Sequence, residues 1–277
     1  MTRGVPHHLT NETTFVPRAP QGHDLALSAA MALGRPVDRL VITHHHDDHT
    51  WGNALFSGAP VVAHERARAE MIAFGPPRDL PFWDHGDWGS LPLDPPFLTF
   101  TDRIALHLGD LRADVLHVGT PAHTTNDVLV HVPDRSVLYC GDLVFNGGTP
   151  FLLMGSVTGA IDVLEQVVLP LGAATTVPGH GPVFRGDGPL RDTVDYLRFV
   201  LDLAERARDA GIRPLEAARD TDLGRFGDWP DAERIVGNLH RAYAELDGAE
   251  RGAPIDIMAA LAEMVEYNGG RPLTCLA

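Results

Sequence analysis

The chain has 277 residues, 44% of them hydrophobic, and a formal net charge of −15. That length and apolar content suffice for one large buried core, while the acidic balance repels a phosphate backbone and argues against a nucleic-acid partner. No apolar run is long enough to span a membrane, and the polar start Met1-Thr2-Arg3-Gly4 lacks the apolar segment of a secretory signal. Two cysteines, Cys140 and Cys275, make no disulfide framework, so a reducing cytoplasm is the expected location.

In chain order, residues 1–36 are polar and broken by Pro6, Pro17, Pro20 and Pro36, with one short helical candidate over 24–33. The β-branched run over 39–43 predicts a buried strand that feeds directly into His44-His45-His46-Asp47-Asp48-His49. Residues 60–63, 113–118, 128–132, 137–140 and 174–177 read as further strands. A helix is expected over 64–73, and Pro133-Asp134 marks a hairpin turn. Beyond Gly188 the pattern turns helical. Val194, Leu197, Leu201 and Ala204 recur at helical spacing before Gly211. Ile235, Leu239, Ala242 and Leu246 do the same, as do Ile257, Leu261 and Met264 ahead of Asn268-Gly269-Gly270. The expected organisation is a strand-rich domain over 1–188 followed by a helical region over 189–277.

The chemistry gathers after the strands. Alternate residues of an extended segment face the same way, so His44 and His46 can serve one metal ion, while Asp48 and His49 face a second point nearby. Imidazole and carboxylate are zinc ligands. Four residues do not complete two sites, and three later turns offer the remainder: His123 in Gly119-Thr120-Pro121-Ala122-His123, Asp142 in Cys140-Gly141-Asp142, and His180 in Pro178-Gly179-His180-Gly181. Each follows a predicted strand, as site residues on sheet-held loops do. His45, between ligands, is expected to point away. No G-x-S-x-G elbow is present, since Gly155-Ser156-Val157-Thr158-Gly159 has its serine misplaced.

The ordered set HxHxDH, GxPAH, GD and PGHG, from His44 to His180, resembles the metallo-β-lactamase superfamily. That resemblance implies an α/β (α+β) fold, a four-layer αββα sandwich with a C-terminal helical extension and atypical N-terminal strands. It also implies two divalent metal ions, zinc first, with iron or manganese as alternatives. By motif position His44, His46 and His123 would hold one ion, and Asp48, His49 and His180 the other. Asp142 would bridge them, with Asp48 and Asp142 as the catalytic carboxylates. A hydroxide between the ions would attack an acyl carbonyl. Aspartate rather than cysteine at the bridge resembles the glyoxalase II, lactonase and thioesterase branches.

Further segments, 123–127, 141–157, 236–243 and 267–272, resemble metallo-β-lactamase-fold thioesterases and cyclases of bacterial aromatic polyketide pathways. The substrate implied is a bulky acyl thioester, free or on a carrier protein, with ring closure as an additional outcome. Trp83, Trp88, Phe151 and Met154 are the expected substrate contacts, because an aromatic rim suits such a group. Arg66, Arg68 and Arg78 could dock an acidic carrier. Glyoxalase II-like or lactonase-like hydrolysis and iron-dependent oxidation are the alternatives. Only 43 residues precede His44 and no initial strand is legible, so an exposed sheet edge and a homodimer are expected.

Overall fold

Strand alternation sorts the apolar residues into separate layers. The structure is a computed structural model and describes residues 37–56, 58–84 and 91–276. The helical candidate over 24–33, the N-terminal strand question and Trp88 lie outside the described residues. Strands β1 (Leu40–Val41), β2 (Val61–His64) and β3 (Leu98–Phe100) form a small parallel sheet. In β2, Val61 and Ala63 face Ala67 of helix α2 (Glu65–Phe74), while Val62 faces the opposite way, onto Phe100, Val115 and Val128. The second face packs against a six-stranded sheet in the order β4 (Arg103–Leu108), β5 (Leu111–His117), β6 (Val128–Val132), β7 (Val137–Phe145), β8 (Thr175–His180), β9 (Phe184–Arg185). On its far side Leu129, Leu138 and Cys140 join the largest apolar cluster, together with Leu197, Val236 and Met264 from the helices. The layers therefore run helix, sheet, sheet, helices, as the resemblance implied.

The helices follow their expected spacings: α4 (Gly188–Asp209), α6 (Arg234–Leu246) and α7 (Ile257–Tyr267). Between them in sequence lies the short α5 (Pro214–Arg219). Gly211 follows α4 with φ +72°, a left-handed conformation that glycine takes without steric cost. Ahead of these, α3 (Val157–Val163) follows Ser156, whose hydroxyl accepts from the Gly159 N–H at 2.9 Å. The serine of the failed G-x-S-x-G match is thus a helix cap. Glu245, reaching across from α6, accepts from the N–H groups of Val157 and Thr158 at the same helix start.

Of the six strand expectations, that over 128–132 keeps its bounds and the other five shift in extent, three of them beside the site. The run over 39–43 pairs as a strand only at Leu40–Val41, because the Thr43 carbonyl accepts from the Val128 N–H and so crosses to the large sheet. β7 continues past Cys140 to Phe145, with a pairing irregularity at Gly141, so Asp142 lies within the strand rather than after it. β8 ends on His180 itself.

One buried side chain ties the helices to the loop beside the site. Asn238, 0% exposed, accepts from the Leu152 N–H at 2.8 Å and donates to the Pro150 carbonyl at 2.8 Å and to the Tyr196 hydroxyl at 3.2 Å. Asn238→Leu, close in volume, leaves two buried backbone groups unsatisfied. It is expected to lower stability by about 2–5 kcal/mol in urea denaturation.

Candidate metal centre

Seven side chains meet at one end of the large sheet. His44 and His46 leave the end of β1, and Asp48 and His49 lie on the single turn α1 (Asp47–Thr50) that follows. His123 comes from the loop between β5 and β6, Asp142 from β7 and His180 from the end of β8. Ligating atoms of His44, His46, His123 and Asp142 lie within 4.8 Å of one another, as do those of Asp48, His49 and His180. Asp142 touches both groups. Its Oδ2 is 3.3 Å from His123 Nε2 and 3.2 Å from His180 Nε2, and its Oδ1 is 3.1 Å from His49 Nε2. Asp48 Oδ2 is 3.4 Å from His180 Nε2 and 3.5 Å from His49 Nε2.

Close backbone packing makes this convergence possible. β7 and β8 run parallel with Gly141 opposite Pro178. A Cβ on Gly179 would lie 1.8 Å from Asp142 Oδ1, and one on Gly141, already at φ +51°, would lie 2.8 Å from the Thr43 side chain. Both glycines are therefore space requirements of the site rather than turn ornaments. Phe145 stacks on the His180 ring at 4.8 Å with 2° between the planes. The His123 Nδ1–H donates to the Phe151 carbonyl at 2.6 Å, which turns Nε2 toward Asp142 Oδ2 at 3.3 Å and His46 Nδ1 at 2.9 Å.

The donor set fits divalent cations. His44 Nε2, His49 Nε2 and Asp142 Oδ1 are buried and have no hydrogen-bond partner, which is costly unless something else satisfies them. Ligands about 2.0–2.2 Å from one tetrahedral ion stand roughly 3.3–3.6 Å apart. Nitrogen–oxygen separations of 3.1–3.8 Å across the cluster match that spacing, without hydrogen-bond angles at those orphaned atoms.

The charges agree. Burial, reinforced by His49, holds His44 well below the usual histidine range; burial and His123 do the same for His46. These rings are neutral and ready to ligate. Burial opposes ionisation of Asp142 and Asp48, but the neighbouring histidines, His180 first for Asp142 and His49 first for Asp48, outweigh it and hold both carboxyls well below the usual range. The reverse holds at His49: burial disfavours its charge, yet Asp142 and Asp48 push it up to about 9. His180 is raised well above its ordinary value, again by Asp142 against burial.

His45 faces away, as alternation required. Its N–H donates to Asn126 Oδ1 at 3.1 Å and its ring meets Asn126 Nδ2 at 3.0 Å; burial pushes it down to about 4. Next to Asn126, the buried Asp127 accepts from the Thr124 N–H at 2.8 Å and hydroxyl at 2.7 Å, which fixes the loop carrying His123. A cavity of about 530 Å³ opens beside the metal cluster. Trp83, Phe151 and Met154 line it, and so do Ile257, Met258 and Leu261 of α7. Sequence reading overlooked those α7 residues, together with Arg234 and Cys275. Arg234 is 2% exposed, pairs with Asp231 at 2.8 Å and lies over the Phe145 and Phe151 rings at 5.1 and 5.8 Å.

A sequence profile described as Metallo-beta-lactamase superfamily matches residues 15–180. The chain belongs to the metallo-β-lactamase superfamily. Its relatives in the superfamily include a protein named hydroxyacylglutathione hydrolase from Rhodospirillum rubrum, 26% identical over 236 residues, covering 84% of this chain and 81% of that protein. A protein of the same name from Aeromonas salmonicida is 32% identical over 142 residues, 51% of this chain and 46% of its own. The human acyl-coenzyme A thioesterase MBLAC2 is 26% identical over 174 residues, 57% of this chain and 61% of its own. The chain thus spans most of the first of these relatives and about half to three-fifths of the other two. Among solved structures, a metallo-β-lactamase from Pontibacter korlensis matches with a TM-score of 0.54 at 21% identity, covering 67% of this chain and 80% of that one. A double mutant of the sec-alkyl sulfatase PisA1 matches at 0.61 with 14% identity, covering 85% and 45%. These two likenesses bear on the superfamily fold alone.

The protonation pattern has a measurable consequence. In the metal-free protein His49 and His180 hold protons at neutral pH that ligation must displace. Metal affinity is therefore expected to rise with pH up through about 9. Binding at neutral pH is expected to release protons, read in calorimetry as a heat that changes with the buffer's ionisation enthalpy. A buffer-independent heat would contradict this assignment.

Proposed function

We propose that this metallo-β-lactamase superfamily hydrolase cleaves the thioester of a bulky, apolar, aromatic polyketide-like acyl group, carried on a small thiol or a carrier protein. The observation that carries the reading is the cavity wall. Trp83, Phe151, Leu153, Met154, Ile257 and Leu261 lie beside the cluster that would hold two divalent ions, zinc first. The roughly 530 Å³ enclosed falls within the range of small-molecule sites. The relatives named hydroxyacylglutathione hydrolase and acyl-coenzyme A thioesterase support thioester chemistry.

Ions held by the two groups would supply an acidified water and polarise the thioester carbonyl. The chain's own residues do the remainder. Asp142 joins the two groups, since it touches members of both. Both carboxylates line the cavity, but the Asp48 side chain is 12% exposed against 4% for Asp142, so Asp48 is the one placed to hold the proton of the attacking water. The apolar wall excludes bulk water and fixes the acyl group. A C–O bond forms at the carbonyl carbon, the C–S bond breaks, and the thiol leaves with a proton. Arg78 also lines the cavity, its guanidinium 4.8 Å over the Phe74 ring, and offers a cation to the departing thiol arm or its carrier. Ring closure of a long acyl chain within the same wall is the further outcome this reading allows.

Of the two arginines on the wall, Arg234 is buried and paired with Asp231, so Arg78 is the cation left to meet the thiol arm, and the apolar residues carry the preference for the acyl group. Turnover of aromatic acyl, acetyl and hydroxyacylglutathione thioesters, with mass analysis of products, tests the proposal. Aromatic acyl groups are expected to give the highest kcat/KM. Phe151→Ala should lower that value roughly tenfold for them while leaving acetyl thioesters nearly unchanged. A preference for hydroxyacylglutathione would refute the reading. Asp142→Ala is expected to lose metal and to lower turnover roughly a thousandfold or more.

A further inference from the structure

The segment after α7 returns to the metal centre along a defined path. The Leu273 N–H donates to the Phe82 carbonyl at 2.8 Å, and its own carbonyl accepts from the Asp84 N–H at 2.9 Å. Asp231 fastens the far side: Oδ1 accepts from the Thr274 hydroxyl at 3.1 Å and Oδ2 from the Leu276 N–H at 2.8 Å. Successive side chains of an extended segment point to opposite sides. With Thr274 turned to Asp231, Cys275 is turned to the metal centre. Its Sγ lies 3.8 Å from His180 Nδ1, 3.8 Å from Asp48 Oδ2 and 3.5 Å from Arg234 Nη2.

We propose that Cys275 is a positioning residue of the Asp48–His49–His180 group. Its sulfur accepts the Nδ1–H of His180, and its S–H donates to Asp48. A histidine that ligates through one nitrogen uses the N–H of the other to fix its ring rotation, and the acceptor of that N–H tunes the ligand. In His180 the nitrogen turned to Asp48 and Asp142 is Nε2, and Nδ1 faces Cys275. A thiol offers both a weak donor and a weak acceptor, so one side chain serves an imidazole N–H and a carboxylate together. Arg234 holds the sulfur in turn. Its guanidinium is pinned by Asp231 and by the Thr149 carbonyl at 2.8 Å, and its Nη2 points at Sγ. The orphaned, buried His49 Nε2 belongs to this same group, which marks the centre that Cys275 adjoins as a ligand site independently of the cysteine.

This inference rests on the two-ion reading above, and one titration separates the two. Metal-free wild type, Cys275→Ala and Cys275→Ser are titrated with Co(II), followed by visible absorption and by competition with a chelator. Wild type is expected to bind two ions. Cys275→Ala should bind the second about 10- to 100-fold more weakly, with the first nearly unchanged. Cys275→Ser, which keeps a donor and an acceptor in place, should recover most of the loss. Matched circular dichroism of the metal-free proteins shows that the variants are folded. Equal affinities in wild type and Cys275→Ala would overturn the proposal, and so would a serine variant as weak as the alanine one. A wild type that binds a single Co(II) would overturn the two-ion reading instead.

Discussion

Two carboxylates and five imidazoles share one buried crevice, and the remainder of the structure answers to that concentration of polar groups. Asp142 is 6% exposed and His44 1%. Charges at such depth are costly unless opposite charge or a metal ion neutralises them. Without metal, the protein meets the cost internally: ionised Asp48 and Asp142 keep His49 and His180 protonated. That arrangement holds the cluster together and leaves it loaded with protons that a cation can displace. A site of this kind needs a rigid frame, because seven polar side chains must keep their positions in a buried crevice whether protons or a cation balance the two carboxylates.

The frame is the pair of sheets. His44 and His46 hang from the point at which the chain crosses from the small sheet to the large one, and Asp142 and His180 sit on adjacent parallel strands. The two sheets are held by Val62, Phe100, Val115 and Val128. The candidate ligands of both sheets are thus registered by the same apolar contacts that make the core. The helical half contributes differently. It supplies no member of the metal cluster, yet α6 and α7 build the far wall of the cavity, and Asn238 and Arg241 of α6 bind the carbonyls of the 150–153 loop. The sheets and the turns at their ends carry the cluster, and the helices wall the cavity beside it.

This division explains what the amino-acid sequence disclosed. His44 and His46 were legible as a pair because alternation in an extended segment is a local property. His123, Asp142 and His180 were legible because glycine and proline mark the turns and strand ends that carry them. The helices α4, α6 and α7 showed their spacing because each buries one stripe against the same cluster. The strand β4 was not read although Ile104, Leu106 and Leu108 alternate with Arg103, Ala105 and His107, the period of a strand with one apolar face, and Ile104 and Leu106 pack between the sheets. The start of α3 depends on Glu245, 88 positions away from Val157, so its cap has no local signal beyond Ser156. The link between His45 and Asn126 spans 81 positions and is equally silent. The Trp88 expectation falls outside the described residues, whereas Trp83, Phe151 and Met154 share one cavity.

Cys275 marks the limit of local reading most clearly. A cysteine 95 positions beyond His180, with no companion at ligand spacing, carries no metal signal in the sequence. Its place comes from three tertiary facts: Leu273 buried at 0%, the bridge between Leu273 and Trp83, and Asp231 holding Thr274 and Leu276. Thr274 and Leu276 line a second cavity of about 630 Å³, and Cys275 lines the one beside the metal cluster. One extended segment is thus a partition between two cavities, with a different face to each. Trp83 joins the chain at 273 to the wall of the cavity beside the cluster, and Arg234 joins the chain at 275 to Phe145 and Phe151. A displacement of this segment would therefore disturb His180 and the cavity wall together, so the 273–275 stretch ties the candidate metal centre to the wall as directly as His46 and Asp48 do.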